Sequence, residues 1–341
     1  MFFRRTGILL LTIGLLMAIP LPGIGETASS SPEGSLPTPS AIASEPFRVQ
    51  VGLYILDIAK MDLKENQFFA DFYIWYKWKD TASFTWSPEG IEFMNGQIEF
   101  ASKIATDTLG DLCYASQRIK GYFRGKFNLQ TYPFDTQTLP ISLEDNQNPF
   151  KKLILEPDPN NPDIRKWIES SVQVPDWEIK DASIVSDVHR YGTDFGDSFT
   201  TKEKVTDYSR FHFQVQLKRL FIPHLIKFII PLIVIAGMAY LVFFINAKEF
   251  EAQCGICVTA LLTAVALHTS QANALPAVGY LVISDKIFIL FYIVIYSALM
   301  QTVIANNYAK TGRIEVAAKM DRIFAIAYPA LLILGGLFLM T

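Results

Sequence analysis

At 341 residues, half of them hydrophobic, and with a mean hydropathy of +0.25, the chain is too apolar for an ordinary soluble protein and too polar to lie wholly in a membrane. Two unlike parts are expected. A formal net charge of -3 supplies no basic surface for a nucleic acid.

The first residues carry Arg4 and Arg5, an apolar run over 8–19, and then Pro, Gly and small residues, the pattern of a signal peptide over 1–28. Residues 29–45 are rich in Ser, Pro and Glu with no apolar period, so they read as a flexible linker. From 46 to 219 short alternating runs, at 48–58, 68–78, 137–143 and 211–217, are separated by turn residues, and no long amphipathic helix interrupts them. That pattern predicts an all-β, immunoglobulin-like antiparallel sandwich, exported by the leader. Cys113 has no partner there for a disulfide.

After Arg219 the character changes, and residues 220–341 hold four apolar stretches, about 221–245, 252–275, 287–305 and 323–340, each long enough to span a bilayer. An all-α, four-helix transmembrane domain follows. The connection between the third and fourth stretches carries Lys310, Arg313, Lys319 and Arg322, whereas 271–285 has no Lys or Arg. The positive-inside rule therefore places the third connection in the cytoplasm and the sandwich outside, in agreement with the leader. Cys254 and Cys257 form a C-x-x-C inside the second stretch with no second pair and no His at ligand spacing, and read as small packing residues.

The second stretch is apolar except along one side. Steps of four or three give Glu251, Gly255, Thr259, Leu262, Ala266, Thr269 and Asn273, a spacing close to one residue per turn. Small residues and hydroxyls in register suit either close packing within a bundle or the lining of a water-filled pore. Pore lining needs several copies in a closed ring, which would turn Glu251 into a ring of carboxylates.

Three motifs mark the sandwich: Trp78-Lys79-Asp80, Trp86-Ser87-Pro88 and Tyr132-Pro133-Phe134-Asp135. Each alone is more often a core or turn feature than a functional one. In order, and followed by Arg219, a first helix containing Pro231, the striped second helix and Leu275-Pro276, they resemble the pentameric ligand-gated ion channels, prokaryotic branch. The resemblance runs from Gly52 to the last helix. In animal members a disulfide closes the Tyr-Pro-Phe-Asp loop; the matching positions here are Gly125 and Leu139, so that bridge is absent.

The resemblance implies a homopentamer, each chain with four identical partners, in the lipid of a bacterial inner membrane, its sandwich periplasmic and its agonist held between neighbouring subunits. It implies that Asp62, Pro133, Phe134, Asp135, Arg219 and Pro276 couple the sandwich to the pore. A salt bridge between Asp135 and Arg219 is expected on physical grounds too, since an unpaired guanidinium at the lipid edge is unfavourable. By position, the hairpin 189–207 caps the agonist site and offers Tyr191, Phe195 and Phe199, facing Asn146 and Phe150 of the same subunit. Asn146 stands where amine receptors carry a Trp, which argues against an amine transmitter. Four histidines, His189, His212, His224 and His268, bring protons into question as the stimulus.

No nucleophile with a base, metal-ligand cluster or phosphate loop stands at meaningful spacing, so neither an enzyme nor a cofactor or metal site is expected. The expected function is a channel for monovalent cations, opened from outside by a small molecule or by protons. An anion channel of the same fold and a non-conducting membrane-anchored sensor are the rival readings.

Overall fold

The computed structural model describes residues 45–160, 163–193, 195 and 206–340; the expected signal peptide, residues 29–44 of the expected linker, and Phe199 lie outside them. Among the described residues, strands β1 (Phe47–Asp62), β2 (Gln67–Lys79), β3 (Ile91–Phe93), β4 (Gly96–Ala101), β5 (Ala105–Leu109), β6 (Leu112–Arg124), β7 (Thr136–Asp145), β8 (Leu153–Pro157), β9 (Trp177–Tyr191) and β10 (Thr206–Arg219) form two sheets. One has the order β4-β6-β2-β1-β8, with β5 also on β6, and the other β3-β7-β10-β9. Pairing is antiparallel except for β8, which runs parallel to β1, a departure from the fully antiparallel expectation.

Alternation explains how the sheets close on each other. In β10, Phe211, Phe213, Val215 and Leu217 all point inward and are buried, and β1 contributes Val49, Val51, Leu53 and Ile55. Trp167, from a short 3-10 turn, stacks on Phe213 with ring centroids 6.2 Å apart and fills the middle of the core. Gly52 leaves room for Trp75, whose ring lies 2.1 Å from where a Cβ on residue 52 would stand. A side chain there would displace the indole.

Four helices, each long and apolar enough to cross a membrane, follow: α1 (Phe221–Phe244), α2 (Phe250–Ala272), α3 (Ile283–Lys310) and α4 (Ile314–Met340). Pro231 in α1 has no N–H to donate, and a π-helical turn over Leu225–Ile229 just ahead of it takes up the irregularity. The boundaries differ from the hydropathy reading. α2 ends at Ala272 with Asn273 as its C-cap, and α3 and α4 are joined by residues 311–313 alone, whereas β10 ends at Arg219, the residue after which the helical part was expected. Gly312 makes that turn at φ 77, in the left-handed region where any side chain would strain the backbone. Lys319 and Arg322 thus lie on the first turns of α4 and not in a connection.

Candidate functional site

α2 has two unlike sides. Gln253, Cys257, Ala260 and Ala264 are buried, and the small side chains of the last three let the neighbouring helices approach closely. Glu251, Gly255, Thr259, Leu262, Ala266, Thr269 and Asn273 are all exposed on the single chain, Leu262 to 65%. Nothing lies within 4 Å of where a Cβ on Gly255 would stand. The uncovered arc is wider than the stripe read from spacing and includes Thr263 and Ser270. Thr263 Oγ1 donates to Thr259 O at 2.8 Å and Thr269 Oγ1 to Val265 O at 2.9 Å, so these hydroxyls are satisfied on their own helix while their oxygens stay open to a further donor. At the start of α2, Gln253 Nε2 donates to Val242 O at 3.0 Å and Ile245 O at 2.9 Å, which ties the first turn, and Glu251 with it, to the end of α1.

At the other end of α2 the sandwich meets the helices. Arg219 and Asp135 are brought together: Nε to Oδ1 at 2.6 Å and Nη2 to Oδ2 at 2.9 Å, with Asp135 fully buried. Gln137 Nε2 donates to Asp135 Oδ2 at 2.6 Å, and the guanidinium lies against the rings of Trp177 at 4.0 Å and Tyr132 at 4.9 Å. A doubly bonded carboxylate and two aromatic faces together replace the water that the ion pair has lost. Phe134 approaches Phe221 at 6.0 Å across the strand-to-helix junction, and Pro133 follows a cis peptide bond. The carboxylate of Asp62 accepts from Lys64 N at 2.9 Å and Glu65 N at 3.1 Å, which shapes the β1–β2 turn. Pro276 lines an open cleft of about 710 Å³ with Lys64, Asn66, Tyr280 and Asp285. Leu129, Tyr132 and Val282 bury one another there, with Leu63, Leu275 and Val278 packed around them. Gln137, Trp177 and Tyr280 were not singled out from sequence; Tyr280 OH accepts from Leu129 N at 3.0 Å.

The third cluster lies in the second sheet. Arg210 on β10 stands directly opposite Glu144 on β7 and bonds it through Nε. Tyr191 on β9 closes the triangle: its OH donates to Glu144 Oε2 at 2.9 Å and accepts from Arg210 Nη2 at 2.9 Å. Burial, and secondarily the Glu144 carboxylate, push the Tyr191 phenol above its ordinary value, so it stays a donor. His189, Phe195 and Tyr208 surround that ring at 4.6, 5.2 and 5.8 Å. Phe195 is 63% exposed, at the edge of the cluster. Asn146 Nδ2 donates to Glu92 Oε1 at 2.6 Å, and Phe150 N donates to Asp207 O at 2.8 Å. Among the described residues, then, the centre is a Tyr191–Glu144–Arg210 network edged with aromatics; the pairing of Glu144 with Arg210 is not legible in the sequence because strand register alone sets it.

Comparison with known proteins adds an independent observation. Residues 228–333 match the family model described as the neurotransmitter-gated ion-channel transmembrane region. The chain is 22% identical over 327 residues to the proton-gated ion channel of Gloeobacter violaceus, covering 88% of this chain and 84% of that protein. It is 22% identical over 288 residues to the gamma-aminobutyric acid receptor subunit alpha-2 of Homo sapiens, and 21% over 309 residues to the subunit gamma-3 of Mus musculus. These cover 77% and 82% of the chain, which spans 61% of the length of each receptor subunit. A two-sheet sandwich leading into four membrane-length helices, the transmembrane match over residues 228–333 and the relatives together support a ligand-gated ion channel of the pentameric type, a multi-pass membrane protein.

Proposed function

We propose that five identical chains close around α2 in a bacterial inner membrane, with the sandwich on the periplasmic side, and that the pore so formed conducts monovalent cations when the sandwich receives its stimulus. The observation that carries this reading is a contrast between two uncovered faces. On α4 beyond Arg322 the exposed side chains are apolar, Ile326 at 75% and Leu334 at 65%, which suits lipid. On α2 the exposed side carries Glu251, Thr259, Thr263, Thr269 and Asn273, which suits water. Copies of α2 around a central axis satisfy it, and Leu262, the bulky apolar residue midway along, would make the dry constriction that gates.

Five Glu251 carboxylates at the cytoplasmic mouth favour cations. At an effective dielectric of ~20, one unit charge ~4 Å from an ion contributes ~4 kcal/mol before screening by mobile salt, enough to set the sign of selectivity. Gly255 and Thr259 supply no ring of carbonyls, so sodium and potassium would pass alike. Residues 133–135, Asp62, Arg219 and Pro276 stand where strain in the sandwich would reach the helices. For the stimulus, the Tyr191 network supports a small polar molecule rather than an amine, while the bacterial relative's name points to protons.

The test is the reversal potential of purified protein in bilayers under a salt gradient, for wild type and Glu251→Ala. Reversal toward the cation equilibrium potential, weakened in the variant, is expected. Reversal near the chloride potential would establish the anion channel, and an absence of unitary currents over a wide screen of pH and small molecules would establish the sensor.

A further inference from the structure

The N-terminus of α3 is held from two sides. Its first amides are capped by the sandwich: Ile283 N donates to Gln130 O and Ser284 N to Tyr132 O, both at 3.2 Å and both to the loop between β6 and β7. These are backbone groups that a helix start leaves without partners of its own, so the loop completes the helix and the two must move together. One turn in, Asp285 divides its carboxylate. Oδ2 accepts from Val282 N at 3.2 Å, within the same helix start, and Oδ1 lies 3.2 Å from His268 Nε2 on α2.

His268 is fixed on its remaining sides. Nδ1 lies 2.9 Å from Tyr292 OH, and the imidazole stacks on Phe288 with centroids 4.4 Å apart and planes at 10°. Tyr292 OH also stands 3.5 Å from Ala264 O, so both of its hydrogen-bonding directions run back to α2. A ring clamped on two nitrogens and one face transmits displacement, because it has no free rotamer into which to relax.

We propose that Asp285 is the positioning residue through which the sandwich moves the pore helix: the β6–β7 loop carries the start of α3, and Asp285 passes that movement to α2 through His268. This rests on the reading that α2 lines the pore, and it adds to the Asp135–Arg219 junction a second route that reaches α2 itself. The route needs no contact between the sandwich and α2. His268 is directed at α3 and stands outside the stripe read as the pore lining, so its replacement is expected to leave unitary conductance unchanged.

Spontaneous opening in a Leu262→Thr background serves as the probe, since it requires no agonist. Asp285→Asn, which keeps an acceptor for Val282 N, and His268→Gln are each expected to change the open-to-closed ratio by about tenfold or more, equivalent to about 1.4 kcal/mol, at unaltered unitary conductance and reversal potential. The double variant should go no further than the larger single one, and the exchange Asp285→His with His268→Asp should restore the ratio. Single variants within about twofold of the background, or effects that multiply in the double variant, overturn the proposal. If the background passes no current, the pore reading fails instead, and the joint is read by hydrogen exchange on the wild-type pentamer and its Asp285→Asn variant. Faster exchange over the last turns of α2 in the variant supports the joint; unchanged exchange overturns it.

Discussion

The pair at the sandwich–helix junction offers the sharpest test of how this fold is held together. Asp135 is fully buried and Arg219 is 6% exposed, and each keeps the other's charge compensated through two hydrogen bonds. Asp135→Asn removes the negative charge with little change of shape, so the guanidinium remains buried between Trp177 and Tyr132 without a counter-ion. Breaking one side of a buried pair costs ~3–5 kcal/mol, and the two aromatic faces, which persist, keep the expected loss near the lower figure. At ~2–4 °C of melting temperature per kcal/mol for a domain of this size, that amounts to roughly 6–12 °C. The assay is the fraction of purified oligomer surviving a heat step, read by size-exclusion chromatography. Asp135→Asn combined with Arg219→Met should regain at least half of the loss, because the orphaned charge is gone. A single variant within about 2 °C of wild type, or a double variant no better than the single, would refute the view that the cost is an uncompensated buried charge.

Two further outcomes follow from the same geometry. Leu262→Thr should wet the proposed constriction and raise the resting leak several-fold; a leak unchanged in flux assays would mean that the uncovered side of α2 faces something other than the pore. In the sandwich, burial pushes the His212 imidazole below 6.5, the ordinary histidine value, against the opposing Asp187 carboxylate 3.6 Å away. Just below 6.5 the unfolded chain therefore binds more protons than the folded one, so this contribution to stability is complete above 6.5 and is lost as pH falls through the window beneath it. His212→Gln should flatten the melting temperature over that window, and an unchanged acid slope would assign it to other groups.

Much of the fold was legible because burial in a sandwich has period two and burial in a membrane has a fixed length. The alternation in β10 is unbroken from Phe211 to Leu217, and it was found. Where alternation fails, the physical reason is local. The bulge between Ile55 and Asp57 in β1 reverses which face is inward, so Ile58 is buried out of phase with Ile55, and a pattern that assumes constant parity loses the strand there. β5 is exposed along its whole length, and its apolar ends, Ala105 and Leu109, bury nothing, so it carries no inward-facing apolar alternation. Helix ends were misjudged for a different cause. Hydropathy measures how far lipid extends, whereas hydrogen bonding sets how far a helix extends. α4 accordingly runs back past Arg322 and Lys319 to Ile314, through residues that charge alone assigns to a loop.

The candidate sites divide along the same physical line. A stripe on one helix is a one-dimensional fact, so the uncovered face of α2 could be read from spacing, although its full width could not: Thr263 and Ser270 depend on where the neighbouring helices stop covering it. Asp135 with Arg219 was legible despite a separation of 84 positions, because burial near lipid obliges an arginine to find an acid and the turn supplied one. Glu144 with Arg210 carries the same chemistry and was missed. Both sit in strands where either charge could have faced solvent, and only the register that sets Arg210 opposite Glu144 decides that they meet. His268 with Asp285 is harder still, since a helical residue has several neighbours within reach and the choice among them depends on the rotation of α2 against α3. An ion pair is therefore readable from sequence when its environment leaves a charge no alternative, and unreadable when packing makes the choice. That distinction explains why the junction is legible in the sequence while the Tyr191 network and the joint between the helices are not.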